Sequence, residues 1–231
     1  MRSRQSPRNE EWRCSFLPSS ELFAMPSRSS GLLAPERAAG QTALLIIDMI
    51  NCWDFPDAEK LLPGAASIAP YIAALKARCR RSGVPVIYAN DNRGRWRSDF
   101  PALAQEALRQ GGPGAEIASA LKPEADDYFV LKPKQSAFFG TPLELLLQHL
   151  KASRLILTGV ASDQCVLVTA TEAGMRDLAV VVPRDCVASQ SMARNALVLR
   201  QIEEFQKLPT TPSTRLRLIP HARHLQGRRR D

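Results

Sequence analysis

The sequence contains no long hydrophobic run, because no apolar stretch approaches the roughly 20 residues that are needed to cross a bilayer. We therefore expect a soluble protein. The sequence also contains no C-x-x-C pair, which argues against a zinc ribbon and against a redox dithiol. Its five cysteines are widely spaced, at Cys14, Cys52, Cys79, Cys165 and Cys186. This spacing fits reduced thiols in a cytoplasmic protein.

The two ends of the chain differ in composition from its centre. Residues 1–40 lack the apolar segment of a secretory signal, and their four Glu weaken an interpretation as an organelle transit peptide. They are rich in Ser, Arg and Pro without a sustained period, so we predict a disordered N-terminal extension. The 231 residues, 45% of them hydrophobic, can bury a full core. We predict one domain over residues 41–220 and a basic tail over residues 221–231.

The centre of the chain is almost neutral, although the formal net charge of the whole is +8. Residues 1–40 hold six Arg against four Glu, and residues 215–231 hold six Arg against one Asp, which leaves a net +1 for residues 41–214. A nucleic-acid-binding protein usually shows a basic face on its folded part. We therefore expect neither nucleic acid nor a membrane as a partner, and a weak contact of the C-terminal tail with either stays open.

Short apolar runs that end in polar residues alternate with helical stretches. The predicted strands are residues 43–47, 84–89, 128–131, 155–158 and 179–182, with residues 215–219 as a weaker sixth candidate. The predicted helices are residues 65–81, 142–151, 163–176 and 192–206. This alternation predicts an α/β fold, a parallel sheet with helices on both faces, whose ligand site lies beyond the carboxyl ends of the strands. The polar residues expected at that edge are Asp48, Asn90, Lys132 and Cys165.

The segment around Cys165 has the features of a nucleophile turn. Residues 154–175 read RLILTGVASDQCVLVTATEAGM, which predicts a buried strand, a glycine turn and then a helix. Ser162 is a good N-cap, and Asp163 places a negative charge in the first turn. Cys165 would then lie near unpaired N–H groups and the positive end of the helix dipole, which favour thiolate over thiol. The alternative is that Cys165 is a small buried apolar residue.

Three of these residues make a coherent set for acyl transfer. Cys165 would attack a carbonyl carbon, Asp48 would take the thiol proton and pass it to the leaving group, and Lys132 would stabilise the thiolate. Backbone N–H groups in the turn from Ala161 to Cys165 would hold the oxyanion. Taken singly, Asp48 as a cap and Lys132 as a solvated loop charge are equally open interpretations.

Three motifs in this order resemble those of the isochorismatase-like family of cysteine hydrolases, which includes nicotinamidases and N-carbamoylsarcosine amidohydrolase. They are LLIIDM, LKPKQSAFFGTPLELLL and LTGVASDQCVLVTATEA, within residues 42–191. The resemblance implies catalytic roles for Asp48, Lys132 and Cys165, and an oxyanion hole formed by the N–H groups of Ala161 and Cys165. It further implies a three-layer, doubly wound sheet of six mainly parallel strands in the order 3-2-1-4-5-6, a cis peptide between Val160 and Ala161, and a homo-oligomer.

The same resemblance bears on metal and substrate class. Many nicotinamidases hold a metal through an aspartate and histidines after the second strand, whereas NDNRGRWRSDF at residues 90–100 has no histidine. His149, His221 and His224 lie in a helix or the tail, so we predict no metal and no other cofactor. In members that resemble isochorismatase itself the cysteine is replaced, so Cys165 favours a small-molecule amide or ureido substrate. Vinyl ether hydrolysis and a non-catalytic binding or scaffold role are the alternatives.

Four residues are candidates for the substrate pocket. Trp96 and Phe138 would pack on a flat substrate, and Asn90 would donate it a hydrogen bond, with Arg97 as a further contact. A core or interface role is the alternative for the two aromatic residues. Cys52 follows Asp48 closely and is interpreted as a spectator.

Overall fold

The computed structural model describes residues 40–94, 96 and 99–218. The predicted N-terminal extension, except for Gly40, and the predicted C-terminal tail lie outside these residues. Within them, none of the helices is both long and apolar enough to span a membrane.

The strands and helices alternate, as the sequence predicts. In chain order the elements are β1 (Gln41–Ile47), α1 (Ala58–Arg81), β2 (Val86–Asp91), α2 (Phe100–Arg109), α3 (Gly112–Ala120), β3 (Tyr128–Lys132), α4 (Leu143–His149), β4 (Ala152–Val160), a π-helical turn (Ser162–Val166), α5 (Leu167–Met175), β5 (Ala179–Val181), β6 (Val187–Ala188), α6 (Met192–Glu204) and a 3₁₀ turn (Ser213–Arg215).

The strands form one parallel sheet in the order β3-β2-β1-β4-β5, with β6 paired to β4. The predicted α/β class and the order 3-2-1-4-5 are confirmed. The sixth strand is not at residues 215–219. Arg215 ends a 3₁₀ turn, residues 216–218 form no strand, and Ile219 lies outside the described residues. The sixth strand is instead β6, a two-residue strand beside Gly159 and Val160 at the carboxyl end of β4. A strand this short carries no apolar run long enough to be recognised.

The core consists of two apolar layers, one on each face of the sheet. Leu44 and Ile46 of β1 face one layer with α1, α2 and α3, and Leu45 and Ile47 face the other with α4, α5 and α6. All four side chains are fully buried. Because alternate residues of a strand point to opposite faces, the continuous run LLII is what a central strand covered on both sides requires. The result is the expected three-layer arrangement.

The helices differ from the prediction mainly on one face. Helix α1 begins at Ala58, seven residues before the predicted start, and includes Pro63 and Pro70. Helices α2 and α3 were not predicted. Asp99 caps α2, because its carboxylate accepts the Ala102 N–H at 2.6 Å, and a proline lies in its first turn.

Candidate active site

Asp48, Lys132 and Cys165 meet at the carboxyl edge of the sheet. The Lys132 Nζ atom lies 2.8 Å from Asp48 Oδ2 and 3.4 Å from Cys165 Sγ. The Asp48 carboxyl group also interacts with the Cys165 thiol. Three residues that are far apart in the sequence therefore form one hydrogen-bonded cluster, in which Lys132 is 1% exposed.

Asp48 follows β1 directly and has a left-handed backbone conformation, with φ 53°. Its N–H donates to Ala89 O at 3.0 Å, and its carbonyl oxygen accepts the Asn51 side-chain amide at 2.6 Å. Its Oδ1 accepts the Asp91 N–H at 2.8 Å. The backbone at the ends of β1 and β2 thus fixes both the main chain and the carboxylate of Asp48.

Lys132 reaches the cluster from the outermost strand. It is the last residue of β3 and lies opposite Asp91 in the register with β2. The Asp91 Oδ2 atom is 4.0 Å from Lys132 Nζ, and the Asp91 side chain is half exposed. Asp91 has no predicted role in the site, although its position at the end of β2 indicates that it lies at this edge of the sheet.

Cys165 lies in the π-helical turn that follows β4. The expected cis peptide between Val160 and Ala161 is present. The N–H groups of Gln164 and Val166 donate to Ala161 O at 3.1 and 3.2 Å, whereas the N–H group of Ala161 has no backbone partner among the described residues. The turn that holds the thiol therefore begins beside an open backbone donor.

Ser162 does not cap this turn as predicted. Its hydroxyl is buried and makes no hydrogen bond among the described residues, and Ala161 occupies the N-cap position in extended conformation. The physical reason is the start of the turn, because Ala161 lies at the N-cap and Ser162 is already the first residue of the π-helical turn, where a side chain does not cap.

Glycine is required where β4 leaves the sheet. Gly159 has φ 107°, and a Cβ atom at this position would lie 2.0 Å from Ile47 O. The close approach of β4 to β1 there holds the strand end that leads to Cys165 beside the strand end that leads to Asp48. The predicted glycine turn is thus a backbone contact between the two strands.

The electrostatics differ from the expectation of a resting thiolate. Burial, and then the charge of Asp48, raises the pKa of Cys165 to about 12, against the opposing effect of Lys132. Burial also raises the pKa of Asp48, although Lys132 lowers it. For Lys132, burial lowers the pKa, but the Asp48 carboxylate and then the Cys165 sulfur outweigh it and the net direction is upward. The resting cluster therefore holds a protonated thiol beside an ammonium group.

The predicted pocket residues differ in their burial and in their contacts. Asn90 is 1% exposed, and its Nδ2 donates to Ile50 O at 2.6 Å, which joins β2 to the loop after β1. Phe138 is 5% exposed and belongs to the core, with the Arg176 guanidinium 4.6 Å above its ring. Trp96 is 82% exposed, and Arg97 lies outside the described residues. Strand-end position predicts the edge of the sheet but not the direction of each side chain.

Cys52 lies in the loop after β1 and is buried. Its thiol interacts with the Arg93 guanidinium, which also pairs with Asp54. Burial raises the pKa of Cys52. This environment gives Cys52 a structural role in joining the loops after β1 and β2.

The donor set after β2 does not fit a metal ion. Residues 90–100 supply two carboxylates, of which Asp91 faces the ammonium of Lys132 at 4.0 Å and Asp99 caps α2. Among residues 40–94, 96 and 99–218 there is no group of three or more His, Cys, Asp or Glu side chains arranged to hold a metal. His149 is exposed on α4, and His221 and His224 lie outside the described residues.

Comparisons with known proteins agree with this fold. Residues 42–213 match the sequence model of the isochorismatase domain. The chain is 40% identical over 161 residues to an uncharacterized isochorismatase family protein of Bacillus subtilis, covering 70% of this chain and 88% of that protein. It is 29% identical to an N-carbamoylsarcosine amidase of Arthrobacter sp., covering 64% of this chain and 60% of the relative.

A solved structure supports the same conclusion. The isochorismatase family protein from Desulfovibrio vulgaris superposes with a TM-score of 0.60 and 26% identity, over 76% of this chain and 95% of that structure. The matched residues 42–213 include β1, β3 and the turn that holds Cys165. The chain therefore belongs to the isochorismatase family and is a hydrolase of that family.

Proposed function

We propose that the protein is a metal-independent cysteine hydrolase that cleaves the C–N bond of a small amide or ureido substrate through a thioester. The observation that carries this proposal is the cluster in which Lys132 Nζ lies 2.8 Å from Asp48 Oδ2 and 3.4 Å from Cys165 Sγ. It supplies a nucleophile, a proton acceptor and a fixed positive charge, the three groups that thiol-based acyl transfer needs.

The first step starts from a neutral thiol. Because the pKa of Cys165 is raised to about 12, the sulfur becomes nucleophilic as it passes its proton to the neighbouring Asp48 carboxylate. The S–C bond then forms while the C=O π electrons move to the carbonyl oxygen. The Lys132 ammonium stabilises the negative charge that develops on the sulfur during this transfer.

The later steps use the same groups. The N–H groups of Ala161 and Cys165 hold the oxyanion of the tetrahedral intermediate. When this intermediate collapses, the C–N bond breaks and Asp48 donates its proton to the leaving amine. Water then attacks the thioester with Asp48 as general base. The S–C bond breaks, the acid product is released, and Asp48 returns the proton to Cys165, which becomes a thiol again.

Acyl transfer is favoured over ether hydrolysis because a positioned thiol has a direct role only in the former. The related N-carbamoylsarcosine amidase bears a name that denotes C–N cleavage, which supports the same class. A purely structural role does not explain why a buried lysine lies between a carboxylate and a thiol. Burying an ion pair costs desolvation energy and often stabilises a fold no more than apolar residues do, so such a pair points to a functional site.

A substrate screen tests this proposal. Purified protein is incubated with primary amides, carbamoyl compounds and ureides, and release of ammonia or amine is measured, with isochorismate as a separate arm. We expect turnover of at least one amide or ureide, none by Cys165→Ala at unchanged circular dichroism, and no effect of a chelator. Activity that survives in Cys165→Ala refutes the proposal, and so does a loss in chelator that zinc or manganese restores.

The setting of the enzyme is also proposed here. The four cysteines in the described residues are free thiols, which supports a reducing, cytoplasmic location. We propose a small-molecule substrate as the ligand and a homo-oligomer as the assembly. Light scattering on the full chain should give a mass of at least twice 25.5 kDa, and a mass of one chain contradicts the assembly.

A further inference from the structure

Asp163 joins the turn that holds Cys165 to the opposite side of the site. It lies two residues before the cysteine, in the π-helical turn, and its side chain is 14% exposed. Its Oδ1 accepts the Ser189 hydroxyl at 2.5 Å, and its Oδ2 accepts the Arg194 guanidinium. We call the set Asp163, Ser189 and Arg194 the Asp163 clamp.

The partners of Asp163 are themselves fixed. Ser189 directly follows β6, which pairs with Gly159 and Val160 at the end of β4. Arg194 is in the first turn of α6, where its N–H donates to the Ser191 cap at 3.2 Å. Its Nη1 also donates to Gln190 at 2.5 Å. The carboxylate is therefore tied to a strand end and to a helix start rather than to a mobile loop.

The clamp acts on the part of the molecule where the proposed chemistry is most sensitive to position. The turn carries the thiol, and the two N–H groups proposed to hold the oxyanion belong to it or directly precede it, so a shift of the turn moves nucleophile and oxyanion donors together. Its own hydroxyl, that of Ser162, makes no hydrogen bond among the described residues and does not brace it. A misplacement of about 1 Å in such a site lowers rates about a hundredfold.

The clamp also has an electrostatic consequence. Asp163 brings a negative charge to the turn where the oxyanion develops, and Arg194 supplies the compensating positive charge. An unpaired carboxylate in that position opposes the oxyanion, whereas a neutral amide does not. We propose, as an extension of the proposed function, that Asp163 and Arg194 are positioning residues that set the geometry and the charge of the oxyanion hole.

The first experiment compares kcat and KM of Asp163→Asn, Arg194→Gln and the double variant. We expect kcat to fall about tenfold in Asp163→Asn and about a hundredfold in Arg194→Gln, with KM changed less than about threefold. The double variant should recover to about the level of Asp163→Asn, because removing the carboxylate relieves the uncompensated charge. Arg200→Gln is the matched control, since Arg200 lies on the same helix in an exposed pair with Glu204.

A second readout does not require the natural substrate. Acetaldehyde adds to a thiol to give a thiohemiacetal: the S–C bond forms, the thiol proton passes to Asp48, and the C=O π electrons move to the oxygen, which carries the negative charge against the oxyanion donors. Formation of this adduct protects Cys165 against iodoacetamide and needs the oxyanion donors, whereas alkylation itself does not. Arg194→Gln should lose at least about tenfold in acetaldehyde affinity while its direct alkylation rate changes less than about threefold.

The outcomes separate the two proposals. Unchanged kcat and unchanged protection in Arg194→Gln overturn the clamp. The clamp is also overturned if the losses in kcat and protection follow a fall in melting temperature and are not relieved by adding Asp163→Asn. A wild-type protein that hydrolyses no amide and is not protected by acetaldehyde overturns the proposed function itself, together with the clamp that rests on it.

Discussion

Replacing Asp48 by Asn should move turnover and thiol reactivity in opposite directions. In the wild-type protein burial raises the pKa of Cys165 to about 12, so the thiol form dominates at pH 8. Asp48 is the second cause of that raised pKa, after burial. A unit charge about 4 Å away in a partly dry site contributes about 4 kcal/mol, or about three pKa units.

The expected change follows from these values. Asp48→Asn removes the negative charge and keeps Lys132 beside the sulfur, so alkylation of Cys165 by iodoacetamide at pH 8 should become between about ten and a thousand times faster. Turnover should fall at least about a thousandfold because the base is lost. Lys132→Met, which removes the cation instead, should slow alkylation.

The assay is peptide mass spectrometry over a time course. Cys79 and Cys186 serve as internal references, because both are fully buried and neither contacts Asp48 in the structure. An Asp48→Asn protein whose Cys165 alkylates no faster than in the wild type refutes the electrostatic reasoning, and so does one that keeps more than about a tenth of its turnover.

Three further predictions follow from single contacts. Because burial raises the pKa of Asp48 above 3.8, activity should fall as the pH drops through that raised value, and an acid limb of kcat/KM at or below 3.8 contradicts this. Asn90→Ala should lower the free energy of unfolding in urea by about 1–3 kcal/mol by leaving Ile50 O unpaired, whereas a rise in KM without loss of stability indicates substrate contact. Gly159→Ala should destabilise the protein by more than about 3 kcal/mol, and a variant with an unchanged urea midpoint contradicts the close approach to Ile47.

The sequence predicted the parts of the site that depend on strand ends. Asp48 and Lys132 each follow or end an apolar run, and parallel strands bring their carboxyl ends to one edge whatever the intervening loops do. The turn after β4 places Cys165 at the same edge. Apolar runs that end in polar residues are enough to predict this shared edge, because they show which strands are covered on both faces and where each strand ends.

Side-chain direction and local dielectric could not be predicted in the same way. Asn90 is at the right edge but turns toward Ile50 O, and Phe138 turns into the core, because each satisfies a local packing or hydrogen-bonding demand. The thiolate predicted at Cys165 rests on the helix dipole alone. Burial and the neighbouring carboxylate dominate the pKa of Cys165 and raise it. The Asp91 N–H to Asp48 bond depends on register, which no single strand pattern encodes.

The central claim is that Cys165 becomes acylated during turnover. Once the screen identifies a substrate, the reaction is quenched in acid within the first turnover and the intact mass and tryptic peptides are measured, with Cys165→Ser as the control. The account predicts a mass increase equal to the acyl group on the peptide that contains Cys165, which disappears as product forms and is not found as a thioester in the control. If one equivalent of product forms per enzyme within the first turnover and no adduct is found on Cys165 at any quench time, the claim is contradicted.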